Sequence, residues 1–251
     1  MLALITGATS GIGKASAELF AKNGIDLIVT GRRQERLDAL TEQLRREFNI
    51  QVLSLCFDVR NLKEVEKAIG SLADNYKNID ILLNNAGLAS GLSPIQDGDI
   101  EDWDKMIDTN VKGLLYVTKM VAPLMINSKK GHIINIGSIA GKETYANGNV
   151  YCASKHAVDA LNKGMRIDLL PHGIKVSSIN PGMVETEFSI VRFHGDTDRA
   201  KKAYEGMQPL TAADIAETIY WVATRPAHVN INEVIIMPTV QANSTTVIRK
   251  N

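Results

Sequence analysis

Cysteine is scarce in this chain: Cys56 and Cys152 are the only two among 251 residues. Two cysteines make neither a disulfide framework nor a metal site. Cys56 sits in an apolar run and Cys152 beside Tyr151, so both are expected as small buried side chains in a reducing cytosol. Net charge is also missing, since 28 Lys and Arg balance 28 Asp and Glu. With no basic stripe, neither a nucleic acid nor an anionic membrane surface is expected as a partner. Long apolar runs are absent too. None approaches the ~20 residues that cross a bilayer, and Met1 leads straight into a short apolar strand without the charged start of a signal peptide, so none is expected. Repeats, low-complexity stretches and linkers are lacking as well. What remains is ordinary globular composition, 45% hydrophobic and 22% charged, at a length that one α/β domain commonly fills.

Apolar runs alternate with helical patterns along the chain. Strands are predicted over Leu2–Ile5, Asp26–Thr30, Gln51–Phe57, Ile79–Leu83, His132–Ile136, Ile174–Ile179 and Glu233–Met237. Helices are predicted over Gly11–Asn23, Arg33–Phe48, Leu62–Tyr76, Tyr151–Leu170 and Thr211–Ala223, with one or two between Asp99 and Met125 broken near Asn110–Gly113. Uniformly apolar strands separated by helices imply a parallel sheet covered on both faces. Right-handed crossovers then give a doubly wound α/β, or Rossmann, domain of about seven strands, a single unit over residues 1–251. The segment 183–208 is polar and poorly patterned, and reads as a functional lid. The tail from Gln241 to Asn251 carries no pattern.

The first strand runs into Thr6-Gly7-Ala8-Thr9-Ser10-Gly11-Ile12-Gly13, which opens the first helix. Glycines there permit a tight turn and a close approach to a pyrophosphate, and a helix N-terminus offers free N–H groups. The spacing is G-x-x-x-G-x-G, and no Gly-Lys-Ser/Thr follows, so the turn is not a P-loop. At the end of the second strand, an acid suits the ribose 2′-OH of NAD and an arginine the 2′-phosphate of NADP. Here Thr30-Gly31-Arg32-Arg33 stands. Asp26 lies at the wrong end, roughly 15 Å away at about 3.3 Å per residue. NADP is therefore expected, with Arg32 the better placed arginine. A solvated first turn of the next helix is the alternative reading of this pair, although cations are unfavourable there.

Further on, Tyr151 and Lys155 stand one helical turn apart and share a face. A free phenol titrates near ~10, and a neighbouring ammonium is expected to lower that value into the range of acid–base catalysis. The same spacing also describes an ordinary surface pair. Ser138 precedes Tyr151 by thirteen residues. Taken singly, Ser138 also reads as a cap, Asn84-Asn85 as a turn and Asn110 as a kink.

Together these residues resemble the short-chain dehydrogenases/reductases over essentially the whole chain. The motifs are Thr6-Gly7-x-x-x-Gly11-x-Gly13, Asp58-Val59, Asn84-Asn85-Ala86-Gly87, Asn110, Ser138, Tyr151-x-x-x-Lys155 and Pro181-Gly182-x-Val184-x-Thr186. The resemblance implies that Tyr151 is the acid/base and that Ser138 polarises the same substrate oxygen. Lys155 holds the nicotinamide ribose, and Asn110 anchors a proton relay. Asp58 and Val59 meet the adenine, and Asn85, with Ala86 and Gly87, the neighbouring ribose region. Pro181, Gly182, Val184 and Thr186 line the nicotinamide amide and phosphates.

Glu187-Phe-Ser-x-Val-Arg192-Phe, Pro226-Ala-His-Val-Asn-Ile-Asn232 and Met237-Pro238, with Thr30-Gly-Arg-Arg-Gln-Glu-Arg36 and Asn149-Val-Tyr151, are similar to one subgroup, the NADP-dependent 3-hydroxy acid dehydrogenases. That implies oxidation of serine, allo-threonine or 3-hydroxyisobutyrate, or reduction of the matching semialdehydes, by a cytosolic homotetramer. Cys152 and Ser154, where relatives carry Gly and Thr, depart from the pattern and leave the catalytic set intact. A 3-hydroxy acid brings a carboxylate, and Arg192 is the cation chosen to receive it. Its alternatives are a pair with Glu185 or Glu187, or water. Tyr145 is placed as a wall of the pocket, and His132 as a strand-edge residue rather than a base. Two other functions stay open: 3-oxoacyl carrier-protein reduction, and a non-catalytic NADP sensor on the same fold.

Overall fold

A computed structural model of the chain describes residues 1–250. Seven strands form one parallel sheet in the order β3-β2-β1-β4-β5-β6-β7. They are β1 Leu2–Ile5, β2 Asp26–Gly31, β3 Val52–Cys56, β4 Ile81–Asn84, β5 His132–Ile136, β6 Lys175–Pro181 and β7 Glu233–Ile236. Every strand lies where its apolar run predicts it, within two residues.

Side chains alternate across a strand, so the two faces bury different sets. Ala3, Ile5, Leu27 and Val29 face one layer, with Ala17 and Phe20 of α1 (Gly11–Lys22), Leu37 and Leu44 of α2 (Gln34–Glu47), and Ile215 and Ile219 near the C-terminus. Leu2, Leu4 and Ile28 face the other, against Val65 of α3 (Leu62–Gly70) and, later in the chain, Val117, Val121 and Leu169. Each Val, Leu, Ile or Phe among them, fully buried, contributes about 1.5–3 kcal/mol. The chain turns outward in both directions from β1 and β4. Ligands of such sheets bind beyond the C-terminal strand ends at that reversal.

Some boundaries move, each for a local reason. The helix expected over Leu62–Tyr76 stops at Gly70, where Gly70-Ser71 breaks it, and only a short 3₁₀ turn, Asp74–Tyr76, follows. Between Asp99 and Met125 there are two helices, α4 (Ile100–Ile107) and α5 (Leu114–Ser128), joined by a π-helical turn over Asp108–Gly113. Such single-turn widenings accompany functional sites. The next helix, α6, spans Asn149–Leu169 and starts two residues before Tyr151. Cys152 is buried but Cys56 is exposed, contrary to expectation, because it ends β3, the strand at the margin of the sheet. His132 stands at the end of a strand, as expected, but not at the edge of the sheet. It opens β5 in the middle of the sheet, buried, and shares a hydrogen bond with Ser177. Burial and the Lys175 charge push its imidazole down to about 3, so it is neutral.

The segment 183–208 is ordered into two short helices, α7 (Glu187–Arg192) and α8 (Thr197–Lys202), capped by the Thr186 and Asp196 side chains. After it comes α9 (Ala212–Ala223), which Thr211 and Asp214 start with a reciprocal capping box. The tail has structure of its own. Gln241 is buried and accepts from Met183 N at 2.8 Å, Arg249 donates to Ala203 O at 2.9 Å, and Lys250 N donates to Gly206 O at 2.7 Å. It straps the 183–208 segment down. Asn251 lies outside the described residues.

Candidate active site

One cleft of about 490 Å³ opens over the C-terminal ends of the strands. Its first wall is the glycine turn. Gly7 sits at φ +66°, a left-handed conformation that side chains rarely adopt. At Gly13, a Cβ would lie 2.4 Å from Gly7 O and 2.5 Å from Asn85 Nδ2. The turn is thus packed directly on the loop after β4. The Thr6 hydroxyl ties them by accepting from the N–H groups of Asn85 and Ala86, both at 3.0 Å. Ser10 starts α1 without capping it through its side chain, so the first-turn N–H groups remain available to an anion. Gly13→Ala is expected to overpack this junction by about 1–3 kcal/mol. That should lower the melting temperature by roughly 2–10 °C and weaken nucleotide binding, as calorimetry and a fluorescence titration would measure.

Arg32 and Arg33 follow β2 and both line the cleft. Arg32 Nη1 lies 3.7 Å from Asp58. Burial would raise the Asp58 carboxyl, but hydrogen bonds from Arg60, with the Arg60 and Arg32 charges, hold it below its ordinary range. Arg33 donates to Thr9 Oγ1 at 2.9 Å and Ser10 Oγ at 3.1 Å. Arg33 is therefore folded back onto the glycine turn, not merely solvated. The donor set, two guanidinium groups and a glycine-lined helix start, suits a phosphorylated dinucleotide.

At the other end stand Ser138, Tyr151 and Lys155. Tyr151 is 9% exposed and Lys155 6%. Lys155 Nζ lies 5.9 Å from the Tyr151 ring centroid and donates to Ile136 O at 2.9 Å. The expected lowering of the phenol is not seen. Burial drives Tyr151 above its ordinary range, with the neighbouring Tyr145 adding to it, and Ser138 and Arg192 only partly oppose this. Lys155 is itself pushed down to about 8 by burial. An i,i+4 pair lowers a phenol only while water is not also removed, and here desolvation is the larger effect. Ser138 faces the cleft and also caps the turn Ile139–Gly141, accepting from Ala140 N at 3.1 Å.

Asn110 does not line the cleft. Its carboxamide accepts from Leu88 N and donates to Leu88 O, both at 2.8 Å, and donates to Ser154 Oγ at 3.0 Å. Ser154 in turn donates to Tyr151 O at 2.7 Å. The π-helical turn thus aims Asn110 at the junction of the β4 loop and α6. Gly87 separates it from Lys155: a Cβ there would lie 3.2 Å from Asn110 Oδ1 and 3.6 Å from Lys155 Nζ.

Arg192, at the end of α7, lies over two rings at once, 5.5 Å from the Tyr145 centroid and 5.7 Å from that of Tyr151. Its Nε donates to Gly91 O at 3.4 Å, while its buried Nη2 has no hydrogen-bond partner. It pairs with neither Glu185 nor Glu187. Glu187 is instead engaged by Arg33 and Arg36. Asp58, Val59, Asn85, Ala86, Gly87, Pro181, Gly182, Val184 and Thr186 all line the cleft, as do Thr9, Ile12 and Gly11, while Gly13 lies behind the turn. Sequence reasoning missed Phe188, Ser189 and Tyr204, and from the tail Gln241 and Ser244, all of which line it. Phe188 and Ser189 stood within the Glu187–Phe193 motif, whereas the only signal of Tyr204, Gln241 and Ser244 was the unpatterned composition of those two segments.

The sequence profile of the family described as short chain dehydrogenase matches residues 1–196. The NADP-dependent 3-hydroxy acid dehydrogenase YdfG of Salmonella typhi is 49% identical over 243 residues, 96% of each chain. The serine 3-dehydrogenase of Agrobacterium fabrum is 45% identical over 239 residues, covering 95% of this chain and 94% of its own. Among solved structures, the closed form of serine dehydrogenase complexed with NADP+ superposes over 100% of both chains with a TM-score of 0.93 at 46% identity.

Proposed function

The chain belongs to the short-chain dehydrogenase family, and from that premise we propose that it is an NADP-dependent oxidoreductase of short 3-hydroxy acids, such as serine, allo-threonine or 3-hydroxyisobutyrate, and of the matching semialdehydes. The relatives named above support the cofactor and the substrate class. The observation that carries it is Arg192: a guanidinium with a buried, unpartnered Nη2 set against Tyr151. An unpartnered buried donor is costly, and a substrate carboxylate satisfies it.

In this reading Arg32 and Arg33 hold the 2′-phosphate, Asp58 and Val59 the adenine, and Asn85, Ala86 and Gly87 the ribose beside it. Gly7, Thr9, Ser10, Gly11, Ile12 and Gly13 form the pyrophosphate turn. Pro181, Gly182, Val184 and Thr186 hold the nicotinamide end. Bound NADP supplies a site for hydride exchange. The chain supplies the proton and the geometry. Arg192 fixes the carboxylate and Tyr145 walls the pocket. Ser138 donates to the carbonyl oxygen and Tyr151 delivers the phenolic proton to it; in the oxidative direction Tyr151 takes that proton from the alcohol. Lys155 steadies the ribose and returns a proton toward Tyr151, with Asn110 positioning the relay behind it. Because burial keeps the phenol protonated, Tyr151 is poised first as an acid. The 183–208 segment acts as the lid over the substrate end.

The reading extends to a homotetramer in the cytoplasm. Supporting assembly are exposed apolar side chains such as Leu115 on α5, Ile167 on α6 and Trp221 on α9. Supporting a reducing compartment are two free cysteines. No described helix is long and apolar enough to cross a membrane. The test is the absorbance of reduced nicotinamide with L-serine, L-allo-threonine and 3-hydroxyisobutyrate, each with NADP and with NAD. Turnover with NADP exceeding that with NAD by at least about tenfold is expected, on the order of one charge-assisted contact. Turnover with NAD alone would remove the 2′-phosphate role of Arg32 and Arg33.

A further inference from the structure

Two carboxylates line the cleft, Asp58 and Glu187. Asp58 belongs to the loop after β3 and is held by Arg60 and Arg32. Glu187 is different, because it sits on the lid. It is the first residue of α7 and reaches across the cleft mouth to the opposite wall. Its Oε1 lies 2.8 Å from Arg36 Nη1, and its Oε2 lies 3.2 Å from Arg33 Nη1. Through its other nitrogen, Arg33 is tethered to Thr9 and Ser10 of the glycine turn. The guanidinium assigned to the cofactor's 2′-phosphate thus already holds an anion, and that anion comes from the lid. The other end of the same six-residue helix is Arg192, about 7.5 Å along the axis at ~1.5 Å per residue.

We infer that Glu187 is a built-in competitor for the cofactor 2′-phosphate, occupying Arg33 and Arg36 so that the phosphate must displace it and thereby unlatch the lid. The inference rests on the NADP reading. A phosphate and a carboxylate repel each other across one guanidinium, and the phosphate brings the greater charge and more acceptor oxygens. The exchange therefore runs toward the cofactor when it carries a 2′-phosphate. NAD lacks that group and leaves the latch in place. By linkage, whatever anchors α7 in its latched position weakens the 2′-phosphate, and the reverse holds equally. With Glu187 and Arg33 each 43% exposed at the side chain, solvent screens the pair and the effect is moderate.

The experiment is a fluorescence titration of the full-length protein with NADPH and with NADH, comparing wild type with Glu187→Gln. The variant is expected to bind NADPH about three- to fivefold tighter, with NADH changed by less than about twofold. Glu187→Asp, which keeps the charge, is expected to stay within about twofold of wild type for both. A purely structural role would shift NADPH and NADH together. Parallel shifts, or weaker NADPH binding in Glu187→Gln, would overturn the inference while leaving the cofactor assignment standing. A wild-type protein with no preference for NADPH over NADH would overturn the cofactor assignment itself, and the inference with it.

Discussion

Tyr151→Phe is expected to lower kcat for either direction by about 10²–10⁴, the range for loss of a positioned general acid or base. The ring is retained, so its edge-on contact with Phe188, at 5.7 Å between centroids, and its packing with Ala140 and Cys152 survive. Stability should change by no more than about 1 kcal/mol, because one hydroxyl is lost and no cavity forms. Dinucleotide binding, followed by fluorescence, should stay close to wild type. That separates a chemical defect from a folding one. Turnover that survives the substitution would mean that another group supplies the proton, whereas a wild type that binds NADPH tightly but turns over none of the acids would favour a non-catalytic, dinucleotide-sensing protein.

A pH profile adds to this test. Burial keeps the Tyr151 phenol protonated through the neutral range, whereas Lys155 loses its proton at about 8. The charged lysine exists below that value and the neutral amine above it. For the reductive direction kcat/KM should therefore be flat at neutral pH and fall as pH rises through about 8, since the proton that Lys155 returns is then gone. Oxidation should rise over the same interval. Steady-state rates across the range would show opposite limbs.

The second large effect is expected at Arg192. Arg192→Met keeps much of the side-chain volume over Tyr145 and Tyr151 but removes the charge. If the guanidinium receives the carboxylate, the loss amounts to a charged hydrogen bond of about 1.5–3 kcal/mol, or roughly 10- to 150-fold in KM for a 3-hydroxy acid. kcat should fall less, since uniform binding is what is removed. Arg192→Lys should recover only part, because an ammonium cannot match the planar bidentate geometry. A neutral 3-hydroxy amide should be nearly indifferent to either change. An equal loss for acid and amide would mean that Arg192 shapes the pocket and does not read the carboxylate.

Much of this protein is written in local pattern. Uniformly apolar strands such as Leu2–Ile5 and His132–Ile136 specify a sheet buried on both faces. Gly7, Gly11 and Gly13 announce the nucleotide turn because few other residues tolerate its dihedrals and contacts. Arg32, at the end of β2, is legible because strand direction alone decides which end of the sheet a residue reaches. Helical period puts Tyr151 and Lys155 on one face, but that spacing describes a surface pair equally well, and the catalytic reading came from the family motifs taken together. Apart from that reading, each of these depends on chain geometry within a few residues or on the fixed direction of a parallel sheet.

Other features depend on what is distant in sequence but adjacent in space. Arg192 faces Tyr145 and Tyr151, and not Glu187, because Arg33 and Arg36, some 150 residues earlier, claim that carboxylate. The phenol of Tyr151 rises where a helical pair suggests it should fall, because Ala140, Tyr145, Cys152 and Phe188 pack around it and burial removes water from it. Cys56 is exposed because no strand lies beyond β3. The tail looks patternless because its hydrogen bonds go to Met183, Ala203 and Gly206 and not to itself alone. Sequence by itself determined the fold and the dinucleotide turn, since periodicity and backbone sterics act locally; the reacting groups proposed above rest on a family resemblance carried by motifs spread along the chain. Tertiary structure alone decided the long-range charge pairs, desolvation and the contacts of the 183–208 segment, since these are set by groups that the chain brings together only when it closes.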